Sequence, residues 1–415
     1  MKKESIDLLV TNASEVLTLS GPSRPRVGEE MSDLGIVSHG AVAIRKGKVV
    51  EVGPSSTLSR KYRAKKKVSA KGRVVSPGLV DSHTHLTFSG TRENEFEMRL
   101  KGTSYMEIAQ AGGGILSSVD HVRKASRSQI VEESRGWARR MLAHGTTTVE
   151  AKSGYGLTVK DEVKQLQAIR ELNRKEVLDF VPTFLGAHSL PREYKGKRKE
   201  FLDLVCKEMI PAVKGLATFC DVFCEVGVFT REESQKVLET GLDYGLLPKL
   251  HAEEFKSIGG AEMGAELGAI SADHLVAISS RGMQAMKRKG TIAVVLPATT
   301  FFLGGAHYAP ARRMIEIGVP VALATDFNPG SSMTLNLPLA MSIACTQMKL
   351  LPSEVFCATT INAAFACGVG EEVGSLEPGK KADLVIWDVD TYRKVPYIFG
   401  VNLVHSVVKA GKVVA

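Results

Sequence analysis

The sequence predicts an α/β protein: a (β/α)8 TIM-like barrel joined to a smaller β-sandwich domain formed by both chain termini. Two patterns and one placement predict it. Eight short apolar runs alternate with helix-like stretches through the middle of the chain, whereas both ends read as strands separated by Gly-containing turns. Half of the chain's ten histidines and two carboxylates fall where the apolar runs end, which in such a barrel is the mouth. At 415 residues the chain is long enough to bury a barrel core and a companion sheet domain.

The N-terminal strands are "IDLLVTNASEVLTL" and "GAVAIRKGKVVEVG"; the C-terminal ones are "ADLVIWDVD" and "VHSVVKAGKVVA". Together they define an expected composite domain of residues 1–75 plus 376–415, leaving 76–375 to the barrel. The expected barrel strands are "GLVDSHTH", "TTTVEAKS" (146–153), "DFVPTFLGAH" (179–188), "DVFCEV" (221–226), "LLPKLHAEE" (246–254), "AISADHL" (269–275), "TIAVVLP" (291–297) and "VPVALATDFNPG" (319–330). Stretches such as "SRSQIVEESRGWARRMLAHG" and "SSRGMQAMKRKG" supply helices between them.

Side chains at i and i+2 of a strand share a face, so His83 and His85 are expected to point together. A lone H-x-H triplet carries little weight; its weight comes from company. His188, Glu225, His251, His274 and Asp326 close further strands. Imidazoles with one carboxylate suit a borderline divalent ion such as Zn2+ or Fe2+, and His83, His85, His251 and Asp326 would supply three nitrogens and one oxygen. An ion so held lowers the pKa of its water toward neutrality, which makes hydrolysis the expected chemistry. His274 reads equally well as a catalytic partner or as a hydrogen-bonded core histidine. Lys249 shares a face with His251 and could bridge two ions, but no second ligand set accompanies it, so one metal is expected. His39, His121, His144, His307 and His405 lie away from the strand ends and are given no role at the site.

Composition narrows the remaining classes. The net charge of +9 is concentrated in "RKYRAKKK" (60–67) and "REYKGKRKE" (192–200), read as a turn and a helix. Neither cluster interleaves the aromatics that stack on bases, so solvated faces are expected and nucleic acid is not, with mild steering of an anionic substrate as a secondary effect. Six scattered cysteines make no disulfide framework; Cys220 and Cys224, four apart on a strand, read as buried small hydrophobes. Glu4 and Asp7 interrupt the start before any signal-peptide core, and Pro297 breaks the weakly charged stretch 290–306. A cytoplasmic setting with no membrane contact is the expectation.

Taken in order, "SPGLVDSHTHL" and "ATDFNPGS" resemble the amidohydrolase superfamily, metal-dependent hydrolases with a barrel and a small terminal β-sandwich. Within it, "HTHLTFSGTRENEFEMRLKGTSYMEIAQAGGGI", "AKSGYGL", "TFLGAH", "HAEEF" and "LATDFNPGSS" resemble the imidazolonepropionase family, over about residues 75 to 375. The chain reads "EAKSGYGL" and "GAHSLP" where "EIKSGYGL" and "GAHAVP" would be expected, and neither change removes a functional side chain. The resemblance implies a homodimer with one Zn2+ or Fe2+/Fe3+ per subunit, held by His83, His85, His251 and Asp326. It implies ring opening of 4-imidazolone-5-propanoate to N-formimino-L-glutamate in histidine degradation. It places Arg92, Tyr155, His188, Glu254, Asn328, Gly330 and Ser331 at substrate positions. His274 falls beside the metal-bound water, and Glu254, His274 and Asp326 are the implied proton carriers.

Physical chemistry supports parts of this reading separately. A planar guanidinium, Arg92, could hold the substrate's carboxylate tail with two hydrogen bonds, an exposed ion pair being the plain alternative. Tyr155 lies on a Gly-flanked loop, able to reach over a ligand. Glu254 follows His251 by three residues, where it could move protons or merely favour a helix N-terminus. The turn "DFNPGSS" offers backbone N–H groups and Asn328 to a second polar end. Other cyclic-amide hydrolases or nucleobase-type deaminases of the superfamily form the nearest alternative, and they need no grip on a carboxylate. A non-catalytic nucleic-acid-binding protein is the remote one.

Overall fold

The second barrel strand, Thr146–Lys152, is buried at all seven positions, because helices cover its outer face and the barrel interior its inner one. The computed structural model to which it belongs describes residues 3–103, 107–108 and 113–415. Part of the expected "SYMEIAQAGG" motif, residues 104–106 and 109–112, and the first two residues lie outside the described residues. Eight parallel strands follow one another in chain order: Leu79–Asp81, Thr146–Lys152, Asp179–Ala187, Phe219–Cys224, Leu247–Ala252, Ser271–His274, Ile292–Val295 and Val321–Leu323. The sheet is a nearly closed (β/α)8 barrel. Its first and last strands meet at the carboxyl end through a Thr84–Phe327 bridge, with His85 N–H donating to Phe327 O at 2.9 Å and Asp326 N–H to His83 O at 3.0 Å. The residues that complete the barrel are therefore neighbours of the expected ligands.

The two expected helices form with identifiable ends. Arg127–Ala143 starts at a Ser126 cap reciprocated by Gln129, and Ser280–Lys289 runs from a Ser279 cap to Gly290 at φ +74°, a conformation suited to glycine.

Both termini build the smaller sheets. One has four strands, Lys48–Pro54, Gly40–Arg45, Glu4–Thr11 and Tyr62–Ser69 in spatial order. The other has six and mixes the two ends, since Leu384–Trp387 pairs antiparallel with Val74–Pro77 in the register Ile386 opposite Val75. Leu8, Val10, Val42 and Ile44 of the first sheet pack with Val16, Val75, Leu384, Ile386 and Val408 of the second, giving a sandwich core. On this pairing we propose the division 1–75 plus 376–415 against 76–375, with the strand Val74–Pro77 running across the boundary.

One basic cluster is not where sequence reasoning put it. "RKYRAKKK" is no turn: Arg60 and Lys61 end a helix, and Tyr62–Ser69 is an edge strand paired in parallel with Glu4–Thr11. Charged residues on an edge strand block pairing with other chains, which accounts for the lysines. Cys220 and Cys224 are buried, packed against Gly241 and Gly260, and burial pushes both thiols up. No helix among the described residues is long and apolar enough to cross a membrane.

Trp387 ties the sandwich to the barrel. It is fully buried, donates Nε1–H to Ser76 Oγ at 2.8 Å and meets Phe356 edge-on with centroids 6.2 Å apart. Trp387→Ala should therefore destabilise the protein by about 3–5 kcal/mol in urea unfolding, as truncation of a buried aromatic does. A loss below about 1 kcal/mol would mean that the two parts are not coupled through this side chain.

Candidate active site

His83 and His85 lie just past the first strand, which ends at Asp81, yet their rings remain together with centroids 5.4 Å apart. His251 comes from the fifth strand and Asp326 from the turn after the eighth. All four are buried. Asp326 Oδ1 lies 3.4 Å from His83 Nε2 and 3.5 Å from His85 Nε2, and His85 Nε2 lies 3.3 Å from His251 Nε2. Ligand atoms about 2.0–2.2 Å from one tetrahedrally held ion sit about 3.3–3.6 Å from each other, and these three spacings fall in that range. Among the described residues, the groups placed to hold an ion are His83, His85 and Asp326, and His83, His251 and His274.

Hydrogen bonding around the cluster fits as well. His83 Nδ1 is 2.6 Å from Asp273 Oδ2 and His251 Nδ1 is 3.0 Å from Asp221 Oδ1, which keeps those protons on Nδ1 and turns the Nε2 lone pairs inward. Thr299 donates to Asp326 Oδ2 at 2.7 Å and leaves Oδ1 for the cluster. His83 Nε2 and Asp326 Oδ1 are buried and have no hydrogen-bond partner among the described residues, an arrangement that a bound cation would satisfy. Burial foremost, with neighbouring cationic groups after it, holds His83 and His85 neutral, the form that can ligate. Burial pushes the Asp326 carboxyl up to about 6.

The mouth above the cluster is lined by all seven expected substrate positions, Arg92, Tyr155, His188, Glu254, Asn328, Gly330 and Ser331, together with His274. His274 sits in the left-handed region at φ +75°, and its Nδ1 lies 3.7 Å from Glu254 Oε2. Such backbone strain persists where surroundings over-determine it, commonly at functional positions. Burial first, then Asp326 and Glu225, pushes the Glu254 carboxyl well above the usual range. His188 donates Nδ1–H to Gly154 O at 2.9 Å, so Nε2 is an acceptor; burial first, then His251, lowers its pKa to about 3. The Tyr155 loop is held down by the buried Glu162, whose carboxylate accepts N–H bonds from Gly154, Gly156 and Leu157 at 3.0, 2.9 and 2.8 Å.

Several expectations need correction. Glu225 directly follows Cys224, the last residue of the fourth strand, but does not line the mouth; it accepts N–H bonds from Val226, Phe255 and Lys256, tethering the loop after the fifth strand. The "DFNPGSS" turn does not offer its amides to a ligand, because Asn328 Oδ1 accepts from the N–H groups of Gly330 and Ser331 at 2.8 Å each. Arg92 is no exposed ion pair: it is 8 % exposed, and Glu95 Oε2 takes its Nε and Nη2 at 2.9 and 2.7 Å. Its other nitrogen rests on Gly330, where an added Cβ would stand 2.2 Å from Nη1. Lys249 is buried and donates to Ser82 O and Ala366 O. None of His39, His121, His144, His307 and His405 lines the mouth.

Sequence reasoning missed Asp221, Asp273 and Thr299. The signal available was chemical: a ligating histidine needs a partner for its second ring nitrogen, and carboxylates inside barrel strands are rare enough to be candidates.

Comparison with known proteins agrees with this geometry. Residues 250–414 match the Amidohydrolase family model. Imidazolonepropionase of Geobacillus kaustophilus is 51% identical over 414 residues, 98% of this chain and 97% of that one. Imidazolonepropionase of Alkaliphilus oremlandii is 46% identical over 415 residues, covering 99% and 98%. Among solved structures, a zinc-bound adenosine deaminase from Xanthomonas campestris superposes with a TM-score of 0.71 at 19% identity over 99% of this chain and 93% of that one, which shows the fold alone. A cluster of histidines and a carboxylate at the barrel mouth, an amidohydrolase match and near-full-length identity of about half lead to one conclusion: the chain belongs to the imidazolonepropionase family of amidohydrolases.

Proposed function

We propose that the chain hydrolyses the ring C–N bond of 4-imidazolone-5-propanoate to N-formimino-L-glutamate in histidine degradation. The observation that carries the substrate assignment is Arg92, a nearly buried guanidinium seated on Gly330 at the mouth that His85, His251 and Asp326 also line. A guanidinium has five N–H donors. Glu95 occupies the Nε–Nη2 edge, so the propionate carboxylate would be held end-on by Nη1 and the second proton of Nη2.

His83, His85, His251 and Asp326 would hold one Zn2+ or Fe2+/Fe3+ ion, which when bound supplies a water of lowered pKa and polarises a carbonyl. Ring opening then needs one proton removed from the attacking water and one delivered to the departing ring nitrogen. Glu254 and His274, facing each other above the ligands, carry that transfer. Tyr155 and the His188 Nε2 acceptor line the same mouth, where they would border the ring. A cytoplasmic homodimer acting on a small carboxylate-bearing molecule completes the reading; sedimentation of the purified protein tests the dimer.

Freshly generated imidazolone propionate should be turned over, whereas cytosine, guanine and hydantoins should not, and elemental analysis should find zinc or iron near one per subunit. Arg92→Ala should raise KM by about 10–100-fold with kcat little changed, as expected for a charge-assisted contact worth about 1.5–3 kcal/mol in ground and transition states alike. An unchanged KM would remove Arg92 from carboxylate binding. Preferred turnover of a substrate without a carboxylate would favour the deaminase alternative.

A further inference from the structure

Beneath the ligands lies a fully buried lysine that the proposed chemistry does not use. Lys152 Nζ is 2.8 Å from Glu150 Oε1, 2.8 Å from Asp221 Oδ2 and 3.9 Å from Asp273 Oδ2. Two of these carboxylates reach a candidate ligand, and the third reaches the residue between two of them. Asp221 also accepts from His251 Nδ1 at 3.0 Å and from the His251 backbone N–H at 3.2 Å, and Asp273 lies 2.6 Å from His83 Nδ1. Glu150 Oε2 accepts from the N–H of Thr84, the residue between His83 and His85, at 3.2 Å. The lysine's own backbone N–H donates to Thr84 O at 3.0 Å.

We propose that Lys152 is a positioning residue of the metal centre: one ammonium anchors the three carboxylates that orient His83, His251 and the segment carrying His85. The inference rests on the metal-centre reading above. Three carboxylates buried side by side repel one another, and without a central cation each would turn from its neighbours or take up a proton. Either change releases an imidazole from its fixed tautomer and direction. Lys249, the other lysine buried in the barrel, also acts on Asp273 through its charge, but its hydrogen bonds go to the backbone carbonyls of Ser82 and Ala366 rather than to these carboxylates.

The test uses wild type, Lys152→Met and the double variant Lys152→Met/Glu150→Gln, each stripped by chelator and titrated with Co2+ in competition with an indicator. The double variant removes one charge of each sign, so the net charge of the cluster is kept. Wild type should take up one Co2+ with a visible absorption band. The double variant should fold with a similar Tm but bind Co2+ about 10–100-fold more weakly and with an altered band, the usual loss when support behind metal ligands is removed. Wild-type affinity and spectrum in the double variant would overturn the proposal, since charge balance alone would then explain Lys152. Failure of both variants to fold would overturn it too, assigning the lysine to the core. A wild-type protein that takes up no Co2+ would instead defeat the metal-centre reading, and this inference with it.

Discussion

Asp326→Ala should abolish measurable hydrolysis and leave purified protein with little bound metal. Asp326 is the single carboxylate among the four candidate ligands, and Thr299 already fixes which of its oxygens faces His83 and His85. Its loss removes both a ligand atom and the negative charge that offsets a divalent cation buried among neutral imidazoles. A bound cation brings the pKa of water from about 15.7 to about 7, so turnover at neutral pH should fall by at least about 10³-fold. Backbone strain complicates alanine here, since Asp326 sits at φ +52°, where alanine costs roughly 1–2 kcal/mol. Asp326→Asn is the control, because asparagine tolerates that conformation, keeps the Thr299 contact possible and still removes the charge. Both variants should be metal-poor and inactive. Full activity in metal-stripped wild type would sink the idea, whatever the variants do.

How much of this was legible in the sequence depended on whether the information was local. Strand and helix alternation is local, and the eight barrel strands appear in the expected order. Their ends are less so: His83 and His85 belong to the mouth not by strand periodicity, which stops at Asp81, but because Thr84 bridges to Phe327 across the closing seam. Partnerships across the chain left no pattern to read. Asp273 supports a histidine 190 positions away and Asp221 one 30 positions away, and both resemble ordinary acidic residues in sequence. The "DFNPGSS" turn misled for a different reason, since its glycine and amides suggested an open cradle while Asn328 closes it from within. For "RKYRAKKK", charge density read as a turn, although Arg60 and Lys61 end a helix and pairing with Glu4–Thr11 makes the rest a strand.

Glu254→Gln should separate proton transfer from metal binding. Glutamine keeps the size and much of the hydrogen bonding of the side chain but can neither accept nor release a proton in the working range. Glu254 Oε2 stands 3.7 Å from His274 Nδ1, longer than a hydrogen bond, and such pairs commonly tighten only with substrate present. Its side chain is 12 % exposed, and burial with the nearby Asp326 and Glu225 raises its affinity for a proton, which suits a group that must gain one during each turnover. We expect kcat to fall by about 10²–10⁴-fold, the usual contribution of a positioned acid or base, with KM within a few-fold of wild type and metal content unchanged. Metal loss would make Glu254 a ligand and move the proton transfer elsewhere. An unchanged kcat would leave His274 as the proton carrier, and His274→Asn should then show the whole loss that Glu254→Gln does not.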